Sequence, residues 1–158
     1  MGITLKEARE ICEAMVTFVI EERFVSITEQ GVPFSVAVVD AAGVLISLDR
    51  MDGAAPLTAR VAVNKATTAI DWRMDTKAIR ERLFTGPTPL DIKNINRDMA
   101  WFGDPNAAPI PGGVLLREPD GTISGAIGTS GGTAEADEEL ARIGEKAYQE
   151  ILKKTSGN

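Results

Sequence analysis

The stretch Phe34 to Val39 is short, almost wholly apolar and rich in β-branched residues. It runs straight into Asp40-Ala41-Ala42-Gly43, a turn, and then into Val44 to Leu48. Such a pair reads as a buried strand joined to a second strand in a hairpin. The same signature returns near the other end of the chain. Gly113 to Arg117 and Thr122 to Thr129 flank Pro119-Asp120-Gly121, where Pro presets φ and Gly supplies a positive φ. Between and around the hairpins the apolar spacing is helical. Ala8, Ile11, Cys12, Met15, Val16, Val19 and Ile20 recur at steps of three and four, predicting a helix over 5–23 with a Thr4/Glu7 capping box. The pattern continues toward Glu29, with Gly31 and Pro33 to close it. A second helix runs from Pro56 to near Trp72, a short third follows Asp75-Thr76, and a last one follows Thr133 with Ala136, Leu140, Ile143, Gly144, Ala147 and Ile151 inward. Two hairpins separated by helices predict an α+β fold, an antiparallel sheet with helices packed on it. One domain over 1–158 is expected at this length, and so short a sheet favours homo-oligomers through its free edges.

The chemistry available to this chain is narrowed by one count: among 158 residues there is no histidine. That excludes Ser-His-Asp and Cys-His catalysis, histidine-ligated haem and histidine zinc sites. A single cysteine, Cys12, excludes an internal disulfide and a CxxC pair; it lies on the apolar side of the first helix and reads as core. The net charge of −6 argues against nucleic acid as a partner. No apolar run is long enough to span a membrane, and the start of the chain has no signal-peptide pattern, so a cytoplasmic setting is expected.

Four stretches carry candidate site residues. The first is Gly125-Ala126-Ile127-Gly128-Thr129-Ser130-Gly131-Gly132-Thr133 before the last helix. Thr133 is a good N-cap with Glu135 in the first turn, and three glycines beside a helix N-terminus suit a loop that holds a carboxylate or phosphate. The segment also fits G-x-S-x-G, but no histidine exists to deprotonate Ser130. The second is Asp49-Arg50-Met51-Asp52-Gly53-Ala54, where Arg50 is either a bidentate carboxylate binder or a polar strand end. The third is Lys65, in a polar strip with Asn64 and Thr68 on a helix of small apolar residues, able to bind an anion, to act as a base, or to snorkel to solvent. The fourth is Pro109-Ile110-Pro111-Gly112-Gly113, a pocket wall or a tight turn.

In this order, Val36-Ala37-Val38-Val39-Asp40-Ala41-Ala42-Gly43, Arg50-Met51-Asp52-Gly53-Ala54, Asn64-Lys65-Ala66-Thr67-Thr68-Ala69, Pro111-Gly112-Gly113-Val114 and Gly125 to Thr133 with Asp137 resemble the GlcG/HbpS-like family. That family includes the C-terminal domain of PduO-type corrinoid adenosyltransferases. The resemblance spans about residues 4–152. It implies an antiparallel sheet of about five strands flanked by helices in a profilin-like layering, assembly into homo-oligomers, and haem or a corrinoid as possible cofactors. It implies a ligand site at Arg50, Lys65, Gly112, Gly113, Ser130, Gly131, Gly132 and Thr133. With no histidine, haem iron would need Tyr148, a methionine, Cys12 or a threonine. Residues 18–33 look longer than the family's usual link and 85–108, with Trp101 and Phe102, look individual to this chain, shaping a pocket or an oligomer contact.

Two functions follow. One is a small-molecule-binding protein that holds a carboxylate-bearing compound or a tetrapyrrole at the Gly131–Thr133 helix start. The other is a cofactor-free, metal-independent enzyme on a small organic acid, an isomerase, tautomerase, hydratase or decarboxylase in a catabolic pathway, with Lys65, Asp40 or Glu135 as base and loop N–H groups stabilising an enolate. A plainer third is an oligomeric accessory protein without chemistry.

Overall fold

Thr4 and Glu7 cap the first helix reciprocally. The Thr4 N–H donates to Glu7 Oε2 at 2.7 Å and the Glu7 N–H to Thr4 Oγ1 at 3.2 Å. The computed structural model describes residues 2–21, 32–85 and 103–157. Within them the elements are α1 (Leu5–Glu21), β1 (Ser35–Asp40), β2 (Leu45–Arg50), α2 (Pro56–Trp72), α3 (Thr76–Thr85), β3 (Gly113–Arg117), β4 (Ile123–Ser130) and a last helix, α4 (Ala134–Ser156). The expected run of the first helix past Glu21, and most of the two segments singled out above, lie outside the described residues.

The strands form one antiparallel sheet in the order β2-β1-β4-β3. Both hairpins are present as the turn signals require, and β1 pairs with β4 from Ser35↔Ser130 to Asp40↔Gly125. The sheet has four strands among the described residues, not about five. Period two splits it into two faces. Val36, Val38, Val114, Leu116 and Ile127 join Ile11, Met15, Leu140 and Tyr148 in the larger core, under α1 and α4. Val39, Leu115 and Ala126 meet Ala66 and Ala69 of α2 on the other face. The result is three layers, α1/α4, sheet and α2, with β2 a free edge whose Leu45 and Leu48 remain exposed.

Helix ends follow the local chemistry. Pro56 opens α2, where its missing N–H costs no helical bond. Thr133 caps α4, its Oγ1 accepting from the Ala136 N–H at 3.1 Å. At the end of α2, Arg73 and Met74 donate to the carbonyls of Ile70 and Ala69, both at 3.1 Å, a Schellman closure. It places Arg73 in the left-handed region, φ 49 and ψ 36, at a cost of about 1 kcal/mol for a side chain with a Cβ.

The sole tyrosine marks the end of the larger core. Tyr148 is 2% exposed, and its O–H donates to Glu118 Oε1 at 2.8 Å, an oxygen that also takes the Ser124 hydroxyl at 2.6 Å. Burial pushes the phenol up to about 12. An unfolded tyrosine ionises near pH ~10, so the folded state holds this proton more tightly and stability is lost as pH rises from there toward 12. Absorbance titration of the native protein should show one phenolate transition near pH 12. A transition at the unfolded value would mean that Tyr148 is open to water.

Candidate functional site

α2 lies directly on the backbone of the sheet. Its inward residues Ala62, Ala66 and Ala69 are small and fully buried, and beneath them the strands carry glycine. A Cβ at Gly128 would stand 1.7 Å from the Ala62 carbonyl oxygen, and one at Gly113 would stand 2.4 Å from that of Lys65. Nothing but glycine fits at either place. The close approach carries Lys65 inside, to 1% exposure. From there its side chain reaches past the Gly112–Gly113 turn to the layer on the far side of the sheet. The ammonium donates to the Thr129 carbonyl at 3.0 Å and to Asp137 Oδ2 at 2.5 Å.

Asp137 in turn fills the helix start. Its Oδ1 accepts the Gly132 N–H at 3.0 Å, and Thr129 Oγ1 donates to its backbone carbonyl at 2.5 Å. The glycine-rich loop therefore binds a carboxylate, as a helix N-terminus next to free N–H groups should, and the carboxylate is the chain's own. Burial pushes the Lys65 ammonium down and the Asp137 carboxyl up, while their mutual attraction opposes both shifts. The Gly112 and Gly113 amides are likewise engaged: Gly112 N–H donates to Glu138 Oε2 at 3.0 Å and Gly113 N–H to Thr76 Oγ1 at 2.8 Å. Arg142 ties Glu138 back to Asp75, at 2.8 and 2.7 Å.

The structure brings Lys65, Gly112, Gly113 and Gly132 into one cluster around Asp137, with Ser130 and Gly131 in the adjoining strand end and loop. Thr133 is exposed and serves as the cap. Arg50 stands apart at the end of β2, in register with Ser35, which faces Ser130 on the next strand, so two strand spacings of about 4.8 Å each separate Arg50 from Ser130. Its Nη1 donates to the Ala54 carbonyl at 2.6 Å and the rest of the guanidinium faces a groove. Asp40 is at the opposite end of β1, where its Oδ1 accepts from Ala42 and Val44 at 2.8 and 2.9 Å and closes its own turn. Glu135 is exposed on the first turn of α4. Lys65, Asp40 and Glu135 do not meet in one place.

Asp137 as the lysine's partner is the residue that sequence reading did not assign. Two signals point to it in retrospect: a carboxylate one turn inside the helix capped by Thr133, and a lone lysine in a helix otherwise small enough to lie on a sheet.

Removing one partner of a buried pair strands the other charge. Asp137→Ala should lower the unfolding free energy by about 3–5 kcal/mol, and the double variant Lys65→Met/Asp137→Leu should recover most of that loss in chemical denaturation. Unchanged stability in Asp137→Ala would remove the pair from any role in holding the layers.

Residues 3–145 match the family model described as haem degrading protein HbpS-like. Protein GlcG of Escherichia coli K12 is 36% identical over 96 residues, covering 61% of this chain and 63% of GlcG. Among solved structures, a double mutant of Streptomyces reticuli HbpS superposes with a TM-score of 0.71 at 27% identity, over 92% of this chain and 86% of the other. A complex of PduOC with haem has the same fold, with a TM-score of 0.74 at 22% identity over 93% and 95% of the two chains. The family model covers most of the chain, and the chain belongs to the HbpS-like family.

Proposed function

We propose that this protein binds a small molecule that joins a large apolar body to a carboxylate, a tetrapyrrole being the class that its family favours. The observation that carries the reading is the setting of Arg50. A groove of about 490 Å³ runs along the free edge of β2, with Val16, Ile20, Leu48 and Met51 as apolar walls and Arg50 as its cation. Asp49 and Asp52 stand at the same lip. Arg50 can therefore hold one carboxylate while the apolar walls take the body of the ligand, and a small polyanion would meet the two acids.

Haem is the ligand named for the family and for the PduOC complex. Cys12, Tyr148, Met15 and Met51 do not fit an iron-ligating haem site. Cys12 is fully buried, with its thiol pushed up to about 11 by burial. Tyr148 and Met15 are core residues, and the Met51 sulfur accepts the Phe34 N–H at 3.5 Å. A tetrapyrrole in this groove would be held by its carboxylates and its ring faces, with no bond to the metal from Cys12, Tyr148, Met15 or Met51.

Exposed Ile20, Leu45, Leu48 and Leu57 surround the same edge, at 37% to 63% exposure. They support pairing of β2 with a second copy of the chain. No helix among the described residues is long and apolar enough to cross a membrane.

Titration with haemin and with iron-free protoporphyrin IX, followed by Soret shift and by fluorescence, tests the reading. Both should saturate with comparable affinity, and Arg50→Ala should weaken both by about tenfold, the worth of a charged hydrogen bond. Saturation by haemin alone would show that the metal is ligated, and no saturation by either would discard the groove as a tetrapyrrole site.

A further inference from the structure

A second cavity, of about 590 Å³, lies at the end of the sheet opposite Arg50. Ala41 of the β1–β2 turn, Ile70 and Arg73 at the end of α2, and Arg117, Thr122 and Ile123 of the β3–β4 hairpin line it. Its size is that of a small-molecule site. Two guanidiniums from different elements face it, and no carboxylate is among the lining residues. Among the described residues neither arginine forms an ion pair; Arg117 Nη1 donates to the Gly121 carbonyl at 3.2 Å, which leaves its other N–H groups. Asp40 closes its own turn and Asp120 accepts the Thr122 N–H at 2.8 Å. In a chain of net charge −6, this cavity is lined by two arginines and by no acid.

The backbone adds an independent observation. Arg73 is the one residue other than glycine at positive φ among the described residues, and it occupies the helix-closing position that glycine fills best. Six glycines take positive φ, at 43, 53, 103, 112, 121 and 131. Arg73 thus brings a guanidinium to the cavity from a position that glycine fills best.

We propose that this cavity binds a small organic acid. Its carboxylate is shared by Arg73 and Arg117 with the Thr122 hydroxyl as a further donor, and its short aliphatic body lies against Ala41, Ile70 and Ile123.

The test is an amide NMR titration of the full chain with sodium butyrate, with sodium chloride as the ionic-strength control and inorganic phosphate as the bare-anion arm. Butyrate should give saturable shifts at Gly121, Thr122 and Ile123. Arg73→Gly and Arg117→Gln should each weaken it by about tenfold or more. Arg73→Gly relieves the left-handed backbone, so it should also melt about 2–4 °C higher, and a loss of binding there cannot be a loss of fold. Unweakened binding in Arg73→Gly, or no saturable shift at all, overturns the site. Phosphate binding as tight as butyrate overturns the organic-acid assignment. Shifts confined to Leu48–Asp52 would place the anion in the Arg50 groove instead, which separates this site from the porphyrin reading.

Discussion

A charged pair buried through the thickness of the sheet governs the arrangement of the rest. Lys65 belongs to the layer on one face and Asp137 to the layer on the other, and they meet only because the sheet between them is stripped of side chains at Gly112, Gly113 and Gly128. Taking two such charges out of water costs several kcal/mol each, and the return depends on geometry and on satisfying the remaining hydrogen-bonding groups. Those are satisfied here: the Thr129 carbonyl takes one ammonium N–H, and the Gly132 amide binds the second carboxylate oxygen. The α4 N-terminus, the close seating of α2 and the Gly112 turn are thus parts of one arrangement.

That arrangement decides where ligands can go. A helix N-terminus flanked by glycines is an anion site by its physics, and in this chain an internal anion occupies it. The arginines that line cavities lie at the periphery: Arg50 at the free edge of β2, and Arg73 with Arg117 at the opposite end. Arg142, by contrast, is consumed by Asp75, Glu138 and Glu145. Both cavities thus set arginine beside aliphatic side chains, a pattern on which the proposed binding of acids rests.

Much of the fold was legible because it is written locally. The Thr4/Glu7 capping box, the Pro56 start, the Pro119-Asp120-Gly121 turn and the Thr133 cap each act over four residues or fewer, and each appears where it was expected. The nearly continuous apolar run Phe34–Val39 declared a strand buried on both faces, which it is. The site was less legible because it is made by long-range pairing. Lys65 and Asp137 are 72 residues apart, and no spacing rule links them. The glycines misled for a related reason. Freedom of φ and absence of a Cβ look identical in a sequence, and at Gly113 and Gly128 the second is what the fold uses. Asp40 likewise reads as a candidate base or as a turn residue until Ala42 and Val44 are seen to donate to it.

The glycine-floored seat of α2 also sorts the interior side chains by size. Where a helix rests on strand backbone there is no depth for a ring, and the residues in that layer are Ala, Val, Leu and Gly. The bulkier side chains, Phe34, Met15, Leu140 and Tyr148, gather on the α1/α4 side. As the chain diverges, its two interiors will therefore drift at different rates: the thick one can exchange one large hydrophobe for another, while the thin one has almost no vocabulary beyond the residues that it already holds.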